Sequence, residues 1–116
     1  MPTRQRQDPD PPEGWSLHAS PVSASEALVR ASGEFDLAAV DDVHHVIGQA
    51  AAGLTAPAVV VVDLSGVTFL DAAMLGALVT ERRAIRKSGG DLQLTGVSAW
   101  TMRIIDICGL RSTLGL

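Results

Sequence analysis

The sequence predicts one α/β domain in which a mixed β-sheet of four to five strands packs with α-helices. Ala58 to Val62 contains four consecutive valines, which suit a strand covered on both faces of a parallel sheet. Segments with helical periodicity alternate with strand-like segments along the chain. The 116 residues are the length of one domain and contain no visible repeat or second domain.

The predicted elements follow the order β-β-α-β-α-β-α. The first two strands, Trp15 to Ser20 and Ala27 to Ala31, are joined by a short segment and should pair antiparallel. The third strand is Ala58 to Val62, and the fourth is the alternating stretch Asp91 to Gly96. Because helices join these later strands, they should be parallel, with right-handed crossovers.

Cap residues mark both ends of the three predicted helices. A side chain that can accept a hydrogen bond from the first helical turn precedes each one: Asp36, Asp71 and Ser98. Glycine follows each one: Gly53, Gly89 and Gly109. The three helices are therefore bounded by local signals alone.

The first fourteen residues differ in composition from the rest. Residues 1–14 are polar and proline-rich, and they carry too little apolar surface to offset the entropy of ordering, so we expect a flexible N-terminal tail. The ordered domain should then span residues 15–116. The chain has no apolar signal core and no run of about 18 apolar residues. We therefore expect no direct membrane insertion and a cytoplasmic location.

Composition argues against several classes of function. The net charge is −4 and the short basic cluster Arg82, Arg83, Arg86 and Lys87 is typical of a solvated helix face, so no nucleic-acid binding is expected. Cys108, the single cysteine, has apolar neighbours and is predicted to be buried.

Adjacent His44 and His45 diverge by about 100° on a helix and do not predict a metal site. The chain also has no nucleophile elbow and no phosphate-binding loop. We therefore expect no catalytic residues, no metal, no cofactor and no enzyme.

The junction at Asp71 is the most informative stretch. Asp71 ends a strand-like segment and begins a helix, yet Ala72, Ala73 and Met74 carry no reactive group. If Leu75, Leu78 and Val79 face the core, helical geometry turns Ala73, Met74 and Ala77 away from it. Such a small, partly apolar surface favours a protein partner over a substrate.

Two more acidic residues precede the first helix. Asp36 is interpreted as its N-cap, and acids near a helix start are stabilised by the helix dipole. A second interpretation makes Glu34 and Asp36 an acidic rim on the same edge of the sheet as Asp71. The two interpretations remain open for Glu34.

Three segments in matching order resemble STAS domains, above all the bacterial anti-sigma factor antagonists. They read VVVVDLSGVTFLDAAMLGAL, GEFDLAAV and KSGGDLQLTGVSAWTMRIIDICGL, and the resemblance covers about Trp15 to Leu110. It implies a STAS domain over residues 15–116. It also implies a non-enzymatic regulator that binds a serine-kinase-type anti-sigma factor.

The resemblance fails at the position that carries the family's switch. In the family, the kinase phosphorylates a serine that closely follows the conserved aspartate in an Asp-Ser-Ser-Gly pattern. Here Asp71 is retained, Ala73 stands at the phosphoacceptor position, and Ala72 and Met74 replace its neighbours. The resemblance therefore implies an antagonist that cannot be switched there. The predicted partner-binding residues are Glu34, Asp36, Asp71, Ala72, Ala73, Met74 and Ala77.

Two other functions fit the same resemblance. STAS domains also serve as subunits of membrane transport complexes, such as lipid ABC transporters, and as sensors of small ligands. The sequence leaves the oligomeric state open, with a homodimer as one outcome.

Overall fold

The computed structural model describes residues 14–116, so residues 1–13 of the predicted tail lie outside the described part. Seven elements follow in the predicted order: β1 (Trp15–Pro21), β2 (Glu26–Phe35), α1 (Val40–Ala52), β3 (Val59–Leu70), α2 (Ala72–Lys87), β4 (Asp91–Thr95) and α3 (Ala99–Ile107). A one-turn 3₁₀ helix, Leu37–Ala39, leads into α1. No helix among residues 14–116 is both long enough and apolar enough to cross a membrane.

The four strands form one mixed sheet in the order β1-β2-β3-β4. β1 and β2 pair antiparallel, whereas β2, β3 and β4 run parallel, which confirms the predicted directions. β2 and β3 are longer than predicted, because Ser32–Phe35 pairs with Gly66–Leu70 beyond the end of β4. The predicted strands end at Ala31 and Val62, whereas the neighbouring strand satisfies the backbone groups of the residues that follow.

In residues 14–116, the helices cover one face of the sheet. Alternate residues of β3, namely Val60, Val62 and Leu64, are buried in the core, whereas Val59 and Val61 are only partly buried. The prediction that the valine run is covered on both faces is therefore wrong. The physical reason is that α1 and α2 pack side by side on the same face and share its core.

Cys108 is exposed, so the prediction that it is buried is wrong. α3 inserts Thr101 and Ile105 between the other elements, but it ends at Ile107. Cys108 is the C-cap residue, and the chain turns away at Gly109, which has a φ of +69°. The helix therefore ends one residue before Cys108, whose thiol does not reach the core.

One arginine ties three parts of the chain together. Arg82 Nε of α2 lies 3.0 Å from Asp91 Oδ1 and 3.2 Å from the carbonyl oxygen of Leu92, both in β4. Its Nη1 donates to the carbonyl oxygen of Thr113 at 2.8 Å. Its side chain is only 14% exposed, so Arg82 does not belong to the solvated face predicted for the basic cluster. It anchors the C-terminal segment against α2 and β4.

Replacing Arg82 with methionine should lower the free energy of unfolding by about 2–3 kcal/mol. The change leaves Asp91 and the carbonyls of Leu92 and Thr113 without their shared donor. Urea denaturation followed by circular dichroism measures the loss. Arg83→Met, at an exposed position of the same helix, is the matched control and should change stability by less than about 0.5 kcal/mol. Equal losses in both variants would contradict the anchoring role.

The Asp91 carboxylate should make the fold less stable in acid. Partial burial acts to raise the pKa of Asp91, but hydrogen bonds from Arg82 and the Leu92 N–H outweigh it and hold the pKa below its ordinary value. A carboxyl group with a lowered folded-state pKa stabilises the fold above about pH 4, and this contribution is lost as the pH falls through the folded value.

Urea denaturation at a series of acidic pH values checks this second prediction. The free energy of unfolding of Asp91→Asn should fall less steeply below about pH 4 than that of the unmodified protein. The difference should shrink when both are measured in an Arg82→Met background, which removes the main donor. Parallel pH profiles for Asp91→Asn and the unmodified protein would rule out this role.

Candidate functional site

Two neighbouring parallel strands end together and each leads into a helix. In the sheet, Glu34 lies beside Phe69 and Phe35 lies beside Leu70. The Asp71 N–H donates to the carbonyl oxygen of Phe35 at 3.2 Å, so the pairing continues to the start of α2. The carboxyl ends of parallel strands are where α/β proteins usually place their binding sites.

Aspartates cap both helical segments at this edge, as predicted. Asp36 Oδ1 accepts a hydrogen bond from the Ala38 N–H at 3.0 Å, and Asp71 Oδ1 accepts one from the Met74 N–H at 3.2 Å. Both aspartates have extended backbone conformations, with φ of −114° and −116°. Their carboxylates are therefore turned towards the helix starts.

The backbone near Glu34 depends on a glycine. Gly33 has a φ of +95°, and an added Cβ would collide with the carbonyl oxygen of Gly14. The same Gly14 oxygen accepts a hydrogen bond from the Glu34 N–H at 3.0 Å. The pairing of β2 with β3 shifts register between Gly33 and Glu34. Gly33 thus allows the close approach of β1 that holds this end of β2.

Two residues near the start of α2 face the core, contrary to the prediction. Ala72 is exposed and Ala73 is partly buried, but Met74 and Ala77 are only 1% and 3% exposed. The prediction that Met74 and Ala77 point away from the core is therefore wrong. α2 packs against both α1 and the sheet, so its buried arc is wider than the narrow stripe that the helical wheel assumed.

Sequence reasoning missed two exposed apolar residues at this edge. Leu37 is 73% exposed at the start of the 3₁₀ helix, and Phe69 is 43% exposed near the end of β3. A signal was available for Phe69, because neighbours in a strand face opposite sides and Leu70 occupies the core. Leu37 lies two residues before Ala39, which begins the buried line continued by Val43, so it falls on the other side of the helix.

We call this edge the carboxyl-end surface; it comprises Glu34, Asp36, Leu37, Phe69, Asp71, Ala72 and Ala73. It combines three carboxylates with two exposed apolar side chains and two small methyl groups. None of these residues carries a hydroxyl or thiol nucleophile. Among residues 14–116, no group of three or more histidine, cysteine, aspartate or glutamate residues could hold a metal ion. Apolar contacts bordered by charge are typical of protein-binding surfaces.

Comparisons of the sequence and of the fold with known proteins agree on the family of this chain. Residues 19–115 match the family model described as "Mlab, STAS domain". Over 85 residues, or 73% of its length, the chain is 33% identical to the anti-sigma-F factor antagonist RsfA of Mycobacterium tuberculosis. The chain spans 66% of the length of that relative.

Solved structures agree with the fold described above. An anti-sigma factor antagonist from Mycobacterium paratuberculosis superposes with a TM-score of 0.77 at 26% identity, covering 91% of this chain and 87% of its own. The anti-sigma factor antagonist SpoIIAA, in its unphosphorylated form, gives a TM-score of 0.70 at 20% identity over 82% of each chain, a likeness of fold. From the extent of the family match and the shared fold, we conclude that this chain belongs to the STAS domain family.

Proposed function

We propose that the protein is a non-enzymatic, cytoplasmic binding module that acts as an anti-sigma factor antagonist. Its partner is an anti-sigma factor of the serine-kinase type, and the carboxyl-end surface is the docking site. The single observation that carries the proposal is the position of Asp71 at the start of α2, with Ala72 and Ala73 behind it and exposed Leu37 and Phe69 beside the same strand ends. The names of the similar proteins support the class of partner.

The surface has the composition that such docking needs. Leu37 and Phe69 supply apolar surface that is removed from water on binding, which favours association. Glu34, Asp36 and Asp71 make the surroundings acidic, which favours a partner with a basic rim.

Met74 does not obstruct this surface. The family pattern has glycine at this position, so a larger side chain there could have blocked a partner. Met74 is 1% exposed and belongs to the core, so its bulk is taken up inside the domain. The small residues Ala72 and Ala73 are left at the outer side of the first turn, where a partner can approach the backbone closely.

The proposed antagonist lacks a phosphorylation switch at Ala73. A phosphoryl group needs a side-chain oxygen, and alanine has none. On a serine at this position, a phosphate would add about −1.5 to −2 charges to a surface that already carries three carboxylates. Replacing that serine by alanine makes the binding independent of the partner's kinase activity.

Affinity capture from host cells tests the partner and the surface together. The unmodified protein should recover an anti-sigma factor with a kinase domain, identified by mass spectrometry. Leu37→Glu and Phe69→Glu should reduce recovery at least about tenfold, because each places a charge in the apolar part of the interface. Val22→Glu is the matched control, since Val22 is a 58% exposed apolar residue in the β1–β2 hairpin, away from this edge.

This capture experiment distinguishes an error in the proposed function from an error in the proposed docking surface. If the unmodified protein recovers no anti-sigma factor, the proposed function is wrong. If it recovers one but all three glutamate variants bind equally well, the function stands and the docking surface lies elsewhere.

Restoring a hydroxyl group should restore the switch. In a purified complex with the anti-sigma kinase, addition of Mg·ATP should leave the unmodified protein bound and unphosphorylated. Ala73→Ser should become phosphorylated and dissociate, because the phosphate adds negative charge at the interface. Ala72→Ser, one residue earlier on the same turn, controls for the hydroxyl itself. Intact-mass spectrometry measures phosphorylation, and size-exclusion chromatography measures dissociation of the complex. Release of the unmodified protein by ATP would contradict the proposal.

A further inference from the structure

The side of the sheet opposite the helices is open in the described part of the chain. All three helices contribute their buried residues to the core on the other side. Parallel strands are usually covered on both faces, so an open face over β2, β3 and β4 is unusual. We call the outward-pointing residues of these strands and of β1 the open face; its central members are Leu28, Arg30, Val61 and Asp63.

Two successive pairs of residues at the middle of the open face differ in character. Leu28 of β2 lies beside Val61 of β3, and two residues further along Arg30 lies beside Asp63. Leu28 and Val61 remain partly exposed and Arg30 is exposed. An apolar pair therefore adjoins a pair of opposite charges at the middle of the sheet.

The Asp63 carboxylate is held in place and ionised. Its Oδ1 accepts a hydrogen bond from the Ser65 N–H at 2.9 Å. The backbone and side chain of Ser65, together with the positive charge of Arg30, keep the pKa of Asp63 below its ordinary value despite partial burial. A shallow depression of about 340 Å³ surrounds it and is also lined by Ser16 and Ser32, so hydroxyl and carboxylate oxygens are available to a guanidinium group.

This pattern is complementary to itself. Consider two copies whose open faces are stacked. A two-fold axis that lies between the two sheets, runs parallel to the strands and passes midway between β2 and β3 places β2 of one copy over β3 of the other. Because the residues of each pair are level in the sheet, Arg30 of each copy then faces Asp63 of the other, and Leu28 faces Val61. Two sheets stacked in this way have nearly aligned strands about 10 Å apart, a common arrangement for sheet packing.

The available area is that of a small, reversible dimer interface, which buries less than about 600 Å² on each partner. Four strands about 4.8 Å apart, with a typical length of eight or nine residues, give a face of roughly 500 Å² in projection. Side chains make the accessible area of such a face larger than its projection. Standard interfaces bury about 800 Å² on each partner.

We propose that the open face is the interface of a homodimer, with the two sheets stacked about this axis. The arrangement covers the parallel strands on their second side and pairs each Arg30 with an Asp63 of the other copy. Glu34 and Phe69 of the carboxyl-end surface lie on the same side of the sheet, four residues beyond Arg30 and six beyond Asp63, or roughly 13 and 20 Å along the strands. The contacts at the middle of the sheet can therefore be tested separately from the proposed function.

Sedimentation velocity over a wide concentration series tests the proposal with the full chain. The unmodified protein should show a reversible species of about twice 12.1 kDa. Val61→Lys should raise the dissociation constant at least about tenfold and leave the circular dichroism spectrum unchanged, because Val61 is already partly exposed. Ile107→Lys is the control, since Ile107 is a 77% exposed apolar residue on α3. It should leave the dimer intact.

A monomer at every concentration would overturn the proposal. So would a dimer that Ile107→Lys dissociates and Val61→Lys leaves unaffected, since that result would move the interface to α3.

Exchange of charges tests the predicted register. Arg30→Asp alone and Asp63→Arg alone should each be monomeric, because like charges then face each other across the interface. An equal mixture of the two variants should form a heterodimer, which a variant that merely unfolds could not do. If both variants fold but their mixture stays monomeric, the proposed axis is overturned. Should Asp63→Arg fail to fold without its bond to Ser65, Val61→Lys still decides the interface.

Discussion

The position of β3 between two parallel neighbours is the constraint on which the rest of the structure depends. Its first half pairs on both sides, with β2 and β4, and its second half continues along β2 alone. Backbone hydrogen bonds thus fix the strand up to Leu70, and the following residue, Asp71, is itself bonded to the end of β2. The start of α2 is therefore determined by the sheet, and α2 in turn packs against α1 and β4 and holds the C-terminal segment through Arg82.

This constraint bears on how a helix start without reactive side chains could serve as the proposed docking site. The sheet edge and the two aspartate caps form a rigid frame for the carboxyl-end surface. In the proposed function, two exposed side chains and two small ones on that frame form the contact with the partner. A change from serine to alanine at position 73 removes an oxygen without altering the frame. The proposed loss of regulation therefore requires no change of fold.

The two sides of the sheet differ in how their surfaces are covered. On the helical side, α1 and α2 contact each other and are joined by a hydrogen bond between His44 Nδ1 and Glu81 Oε2 at 2.7 Å. On the open side, the apolar residues of the parallel strands have no helix above them among residues 14–116. Stacking of two copies would give these strands their second cover, and it would leave the carboxyl-end surfaces at the strand ends. In that arrangement, assembly would use the middle of the sheet and partner recognition would use its carboxyl end.

Local signals in the sequence determined the order of elements, the strand directions and the caps at Asp36, Asp71 and Ser98, because short-range hydrogen bonds and periodicity specify them. The family resemblance, confirmed by the comparisons, rests on the same contiguous segments. Tertiary structure alone decided how far β2 and β3 extend, because only a neighbouring strand can satisfy their backbone groups. It also decided that Met74 is buried and that no helix of residues 14–116 covers the second face of the sheet, because both depend on how many elements pack around each position. A single stretch of sequence does not specify how many elements will pack against it.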